Sequence, residues 1–195
     1  EKNGEVFFGV DVSGDEDTVI YQPIYKDAAL EGAVFEIRAA EDIYTPDGTL
    51  RYAKGEVVDT VTTGADGLAK SKEIYLGKYE VQEIKAPYGY VISKDIHSVE
   101  LIYAGQNVSV TETATSFYNE RQRVEIDLIK SLAIDEAYGI GKNGEIFDVT
   151  FGLYAAEELT AADGKTIPAD GLIEVISLDE SGHGKAISDL PMGSY

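Results

Sequence analysis

Apolar and polar residues alternate along most of this chain with a period of two, the signature of strands with one buried face. The clearest case is Ala33-Val34-Phe35-Glu36-Ile37-Arg38. Further strands are expected over residues 56–62, 77–84, 99–103 and 108–118, and another over 6–13. Turn residues separate them at Ala65-Asp66-Gly67 and Ala104-Gly105-Gln106. Asp47-Gly48 and Asp163-Gly164 are hairpin dipeptides, because glycine supplies the positive φ of a type I′ turn. No stretch sustains a helical period, and residues 39–43 could form one short turn of helix at most.

The pattern repeats. Val34-Phe35-Glu36-Ile37-Arg38-Ala39-Ala40-Glu41-Asp42-Ile43 returns as Thr150-Phe151-Gly152-Leu153-Tyr154-Ala155-Ala156-Glu157-Glu158-Leu159, an offset of 116. The same offset carries Gly55 onto Gly171 and Leu76-Gly77-Lys78-Tyr79 onto Met192-Gly193-Ser194-Tyr195. A period this long is a domain length rather than a solenoid repeat. The expectation is a module over residues 1–121 and a second copy over 122–195. That copy stops about two-thirds of the way through and lacks its C-terminal strands. If nothing followed Tyr195, it would leave an open edge and an apolar face.

Composition narrows the function classes. Hydrophobic residues make up 44% of the 195, ordinary for a globular protein, and thirteen Tyr and twenty Gly suit short strands and turns. The net charge of −20 repels phosphate backbones and anionic headgroups, which disfavours nucleic acid and membrane surfaces as partners. With no cysteine there are no disulfides and no thiolate metal sites. No apolar run is long enough to span a bilayer, and no signal peptide opens the chain at Glu1-Lys2-Asn3-Gly4. Localisation is therefore not legible at the termini.

Gly77-Lys78-Tyr79-Glu80-Val81-Gln82-Glu83-Ile84-Lys85-Ala86-Pro87-Tyr88-Gly89-Tyr90 resembles a family signature. It is that of collagen-adhesin B-type domains, also called SpaA-type or prealbumin-like pilin domains of Gram-positive bacteria. Gly32-Ala33-Val34-Phe35 is similar to the family's Gly-Ala-x-Phe strand, and Phe117-Tyr118-Asn119-Glu120 to its closing strand. The three blocks, in order, cover residues 32–120. The resemblance implies an all-β chain of tandem antiparallel β-sandwiches of prealbumin-like (Ig-like) type, the second incomplete.

It also implies a chemistry. In such domains a first-strand lysine condenses with a last-strand asparagine, promoted by a glutamate between them. Burial favours a neutral amine and a protonated acid. The acid can then polarise the amide and pass a proton to departing ammonia. Alignment by the fold supplies an effective molarity of roughly 10⁵ M or more. The bond forms once, without turnover. By resemblance Glu83 is the acid and Asn119 the acceptor of the first module, and Lys130 the amine of the second. Asn119 and Lys130 belong to different modules and are not expected to react together. The partners of Lys130 would fall one register on, beyond Tyr195. Gly14 stands one register before Lys130, and residues 6–13 hold no lysine, while Lys26 lies only six residues before Gly32. The first module is therefore expected to lack its lysine. The strict alternation Tyr79, Val81, Glu83 places Glu83 inside.

Other constellations weigh less. Gly139-Ile140-Gly141-Lys142-Asn143-Gly144 spells Gly-x-Gly-x-x-Gly, but the strand pattern that follows is not the helix a dinucleotide site needs. Asn143-Gly144 reads instead as a hairpin turn. His97 and His183 have no partners at metal-ligand spacing, and His183 falls in an expected loop. The acidic run Gly14-Asp15-Glu16-Asp17 lacks the spacing of a calcium loop. Leu190-Pro191-Met192-Gly193 lacks the threonine and the hydrophobic tail of a sorting signal, and the 116 offset explains it as a strand entry.

The resemblance therefore implies a structural or adhesive cell-surface protein, a stalk or pilin-like part of a longer chain. It would be extracellular and anchored to the cell wall through other regions, with no cofactor, no metal and no enzymatic turnover. The alternative is an extracellular ligand-recognition module for carbohydrate or host protein. Clustering of Tyr21, Tyr25, Tyr44, Tyr52, Tyr88 and Tyr90 on one edge would favour that alternative.

Overall fold

Phe35, Ile37 and Ala39 point to one side of a strand and are buried, while Val34, Glu36 and Arg38 are only partly covered. This is the expected alternation, and it repeats on neighbouring strands to build the chain's first core. The computed structural model describes every residue except 16, 17, 140, 142 and 143, and omits the side chains of 147 and 148. Most of the acidic run at Glu16-Asp17 and the Asn143 of the expected hairpin turn thus lie outside the described residues, as do Ile140 and Lys142.

The elements in chain order are β1 (Lys2–Gly14), β2 (Val19–Ala29), β3 (Val34–Ala39), β4 (Ile43–Tyr44), β5 (Leu50–Tyr52), β6 (Val57–Thr62), β7 (Gly77–Lys85) and β8 (Ile96–Leu101). There follow β9 (Phe117–Asn119), β10 (Asp127–Ile129), a 3-10 turn (Glu145–Asp148), β11 (Thr150–Tyr154), β12 (Leu159–Thr160), β13 (Thr166–Ile167), β14 (Leu172–Ser177) and β15 (His183–Lys185). Among the described residues the regular elements are strands and one 3-10 turn, with no α-helix, as the sequence implied.

The chain divides into two compact units. One holds Glu1–Glu5 and Asp27–Gln122, the other Val6–Lys26 and Arg123–Tyr195. The 116 offset had assigned residues 6–26 to the first module. They pack into the second unit because Val10, 2% exposed, sits in its core with Ile167, Ile173 and Leu190. Backbone bonds Ala162 N–H to Phe7 O (3.0 Å) and Asp163 N–H to Phe8 O (2.9 Å) hold the segment there.

In the first unit β6, β3, β7 and β8 form an antiparallel sheet in that order. Facing residues Phe35 and Phe117 touch at 4.8 Å between ring centroids. Residues Lys2, Asn3 and Gly4 of β1 pair with β9 in parallel, a departure from the wholly antiparallel sandwich expected. These strands are joined through a long crossover rather than a hairpin, so nothing forces them antiparallel. Residues 108–116, expected as strand, carry no ladder; only Phe117–Asn119 of that stretch is paired. Residues 39–43 form no helix.

In the second unit β11 pairs β14 antiparallel, and β14 pairs β2 in parallel at Leu172 and Ile20. β10 pairs β15, and β12 pairs β13. Two sequence expectations change here. His183 lies in a strand, not a loop, and Glu145–Asp148 is a 3-10 turn, not strand. Gly144 precedes that turn at φ 80°, where glycine alone is unstrained.

The repeat survives as matched hydrogen bonds. Thr45 N–H to Thr49 O (3.0 Å) recurs as Ala161 N–H to Lys165 O (2.8 Å), and Ala40 N–H to Lys78 O (2.9 Å) as Ala156 N–H to Ser194 O (2.8 Å). The Tyr79 hydroxyl donates to Tyr75 O at 2.6 Å, and the Tyr195 hydroxyl likewise to Pro191 O.

A buried lysine, glutamate and asparagine in the first unit

Three polar side chains meet inside the first unit, from β1, β7 and β9. Glu83 follows Tyr79 and Val81 on the inward face of β7 and is 2% exposed. Asn119 ends β9, inward by the same alternation as Phe117, and is 1% exposed. Lys2 begins β1 and is wholly buried.

The contacts close a triangle. The Lys2 ammonium nitrogen donates to Asn119 Oδ1 and lies 3.4 Å from Glu83 Oε1. Asn119 Nδ2 donates to the same Glu83 Oε1 at 3.0 Å. The other carboxylate oxygen accepts the Ser93 backbone N–H at 2.7 Å, which fixes the carboxyl plane. Lys2 Nζ is 5.9 Å from the ring centroids of both Phe35 and Phe117. Desolvation by this burial pushes the Lys2 pKa below its ordinary 10.5, against the opposing charge and hydrogen bond of Glu83 and the charge of Asp95.

Backbone packing holds Lys2 in place. Its N–H donates to Gly67 O at 2.8 Å, and its carbonyl accepts from Leu30 N–H at 3.0 Å. Two residues on, a Cβ at Gly4 would stand 2.7 Å from Asn119 O, so glycine permits β1 and β9 to approach. Arg121 Nη2 bonds Glu5 Oε2 at 3.2 Å, and the Tyr90 hydroxyl donates to Glu5 O at 2.9 Å.

The expectation that this module lacks its lysine is corrected here. The gapless offset points to Gly14, which lies in the second unit at the end of β1. Lys26 is also in the second unit, its amine 3.9 Å from the Phe8 ring centroid. Lys2 stands 33 residues before Phe35, whereas Lys130 stands 21 before Phe151. The two spacings differ by twelve residues, so an ungapped comparison steps past Lys2. The usable signal was an inward lysine on any strand upstream of Gly32.

Lys130 lies in the second unit directly after β10, half-buried, its N–H donating to Gly182 O at 2.8 Å. It shares no unit with Glu83 or Asn119. His97 is half-buried, stacked on Phe117 at 4.0 Å with Nδ1 2.6 Å from Thr115 Oγ1. Of the six tyrosines, Tyr21 and Tyr25 lie in the second unit and Tyr44, Tyr52, Tyr88 and Tyr90 in the first. An open cleft of about 1220 Å³ in the first unit is lined by residues including Leu68, Ile74, Tyr75, Leu101 and Val110.

Residues 24–115 match the family described as SpaA, prealbumin-like fold domain. The trypsin-resistant surface T6 protein of Streptococcus pyogenes is 26% identical over 98 residues, covering 48% of this chain and 17% of that protein. The chain thus spans about a sixth of that relative's length. Among solved structures, the Bacillus anthracis TIE protein matches with a TM-score of 0.46 at 20% identity, over 94% of this chain and 34% of that one. BcpA, the major pilin subunit of Bacillus cereus, matches with a TM-score of 0.31 at 18% identity, over 65% and 30%.

Proposed function

We propose that this chain, whose residues 24–115 match the SpaA prealbumin-like family, is part of a structural or adhesive protein of a Gram-positive cell surface, locked by an internal Lys2–Asn119 isopeptide bond. The observation that carries the reading is the buried triangle of Lys2, Glu83 and Asn119. The surface location draws on the printed name of the streptococcal relative. Other surface or pilus subunits are the partners this reading implies.

The chemistry follows from the contacts. Burial favours the neutral Lys2 amine, which is a nucleophile where the ammonium is not. Nζ attacks Asn119 Cγ. Glu83 Oε1, in reach of both nitrogens, accepts the proton from Nζ and delivers it to Nδ2. The Cγ–Nδ2 bond breaks, ammonia leaves, and Nζ and Cγ remain joined as an amide. No oxidant or cofactor enters the balance, and the protein is consumed as its own substrate.

An intact-mass measurement tests this. The native chain is expected to be lighter than its sequence by one ammonia, with residues 2 and 119 in one branched peptide after digestion. A Glu83→Ala chain is expected at full mass. A native chain at full sequence mass after complete folding would refute the bond.

A second reading, a ligand-recognition module, is favoured by the first unit's open cleft. Saturable binding of a glycan or host protein, weakened by a Tyr75→Ala or Leu101→Asp change, would support it.

A further inference from the structure

The two oxygens of the Glu83 carboxyl face different partners. Oε1 stands 3.4 Å from Lys2 Nζ and 3.0 Å from Asn119 Nδ2, while Oε2 accepts the Ser93 backbone N–H at 2.7 Å. A carboxyl group turns about its last bond between broad, roughly two-fold wells. The Ser93 N–H removes that freedom. Oε1 is then held as a single relay between the nitrogen that loses a proton and the nitrogen that gains one.

Ser93 is itself held by a local turn. Its hydroxyl donates to Asp95 Oδ2 at 3.1 Å and accepts the Asp95 N–H at 3.2 Å. The connection that carries this turn, residues 86–95 between β7 and β8, is fastened at both ends. Val91 N–H donates to Glu120 O at 2.9 Å and Gln122 N–H to Gly89 O at 2.8 Å, directly after Asn119 in the chain. Beyond the turn, Ile96 pairs with Gln82, the residue before Glu83. The turn is thus anchored beside the acid and beside the acceptor at once.

Asp95 also brings a charge. Its side chain is exposed, and with Glu83 on β7 it acts on the Lys2 amine, to which β3 and β9 present Phe35, Phe117 and Asn119. Both carboxylates favour the ammonium over the nucleophilic neutral amine.

We propose that Ser93 and Asp95 are positioning residues for formation of the Lys2–Asn119 bond, their turn holding Glu83 Oε1 against both reacting nitrogens, a role that rests on the bond proposed above. The step keeps its balance. Nζ loses a proton and gains Cγ, Nδ2 gains the proton and leaves as ammonia, and neither Ser93 nor Asp95 contributes an atom.

The test follows folding and bonding separately in the full chain. The polypeptide is assembled from synthetic segments in denaturant, so that no bond precedes folding, and is then diluted into buffer. Tyrosine fluorescence reads folding, and intact mass in acid-quenched samples reads the loss of ammonia. Ser93→Ala is expected to fold within about twofold of the parent's rate but to bond about tenfold more slowly, because the carboxyl loses its orientation. Ser93→Thr, which keeps the hydroxyl, is expected to bond at the parent's rate. Asp95→Asn keeps an acceptor for the Ser93 hydroxyl and removes the charge. The bonding rate rises with pH as the amine becomes neutral, and in Asp95→Asn that rise should come at lower pH than in the parent. The difference should shrink in about 1 M salt. A purely structural role would leave the midpoint in place.

Equal bonding rates in the parent and Ser93→Ala overturn the proposal, as does a fall in folding and bonding together. So does a Ser93→Thr chain as slow as Ser93→Ala, or an Asp95→Asn midpoint at the parent's pH. Each of these leaves the bond standing. A parent chain that folds and keeps its full mass instead refutes the bond, and this role with it.

Discussion

The Lys2 amine and the Glu83 carboxylate lie 3.4 Å apart with both side chains wholly buried, although 81 residues separate them in the chain. Breaking one member of such a pair leaves an uncompensated polar group in an apolar core, whereas the intact cluster satisfies each member. The pair therefore reports on stability as well as on chemistry.

If Lys2 and Asn119 are joined, the bond closes a loop of about 117 residues. The chain-entropy treatment of a cross-link of that span gives roughly 4–5 kcal/mol. For a unit of this size that corresponds to about 20 °C or more in Tm. Calorimetry is expected to show a loss of that order for the first unit in Glu83→Ala or Asn119→Ala, with the second unit's transition changed little.

A pH dependence separates the unbonded state. In Asn119→Ala the Lys2 amine cannot be acylated and remains titratable. Its folded pKa is depressed below 10.5 by burial, so the unfolded chain binds more protons across the window beneath 10.5. Stability conferred by the neutral amine is present above 10.5 and is lost as pH falls through the depressed folded value. Urea midpoints of Asn119→Ala should accordingly fall with decreasing pH across that window, relative to the doubly substituted Lys2→Met, Asn119→Ala chain. Parallel curves for the two variants would contradict the assignment.

Gly4 sets the approach of β1 to β9. A methyl group there would meet Leu30 Cδ1 at 2.6 Å and the Asn119 backbone oxygen at 2.7 Å, and backbone cannot yield cheaply. Gly4→Ala is expected to cost about 1–3 kcal/mol. By moving Lys2 off Asn119 it should also slow bond formation, read as a rise in the full-mass fraction shortly after refolding.

Val10 tests where the Val6–Lys26 segment belongs. It is 2% exposed in the core of the second unit, far along the chain from its neighbours Ile167 and Ile173. Val10→Ala should destabilise by about 1–3 kcal/mol. Faster hydrogen exchange is expected over β14 in the second unit, with β3 and β7 of the first unaffected. The opposite distribution would return residues 6–26 to the first unit.

Sequence alone determined the β character, the strand positions around Gly32–Phe35 and Gly77–Tyr90, and the inward direction of Glu83. Each of these is local: period-two alternation decides which face a side chain takes, and glycine placement decides where a strand stops. The 116 offset matched Leu76–Tyr79 to Met192–Tyr195, and the structure adds equivalent hydroxyl bonds, Tyr79 to Tyr75 O and Tyr195 to Pro191 O. Packing alone decided the rest. Lys2 is found only when β1 is laid beside β9, since the twelve additional residues between Lys2 and Phe35 break the ungapped comparison. The Val6–Lys26 segment joins the second unit because Val10 fills space there, and vacant core volume is a property of assembled layers that no local pattern records.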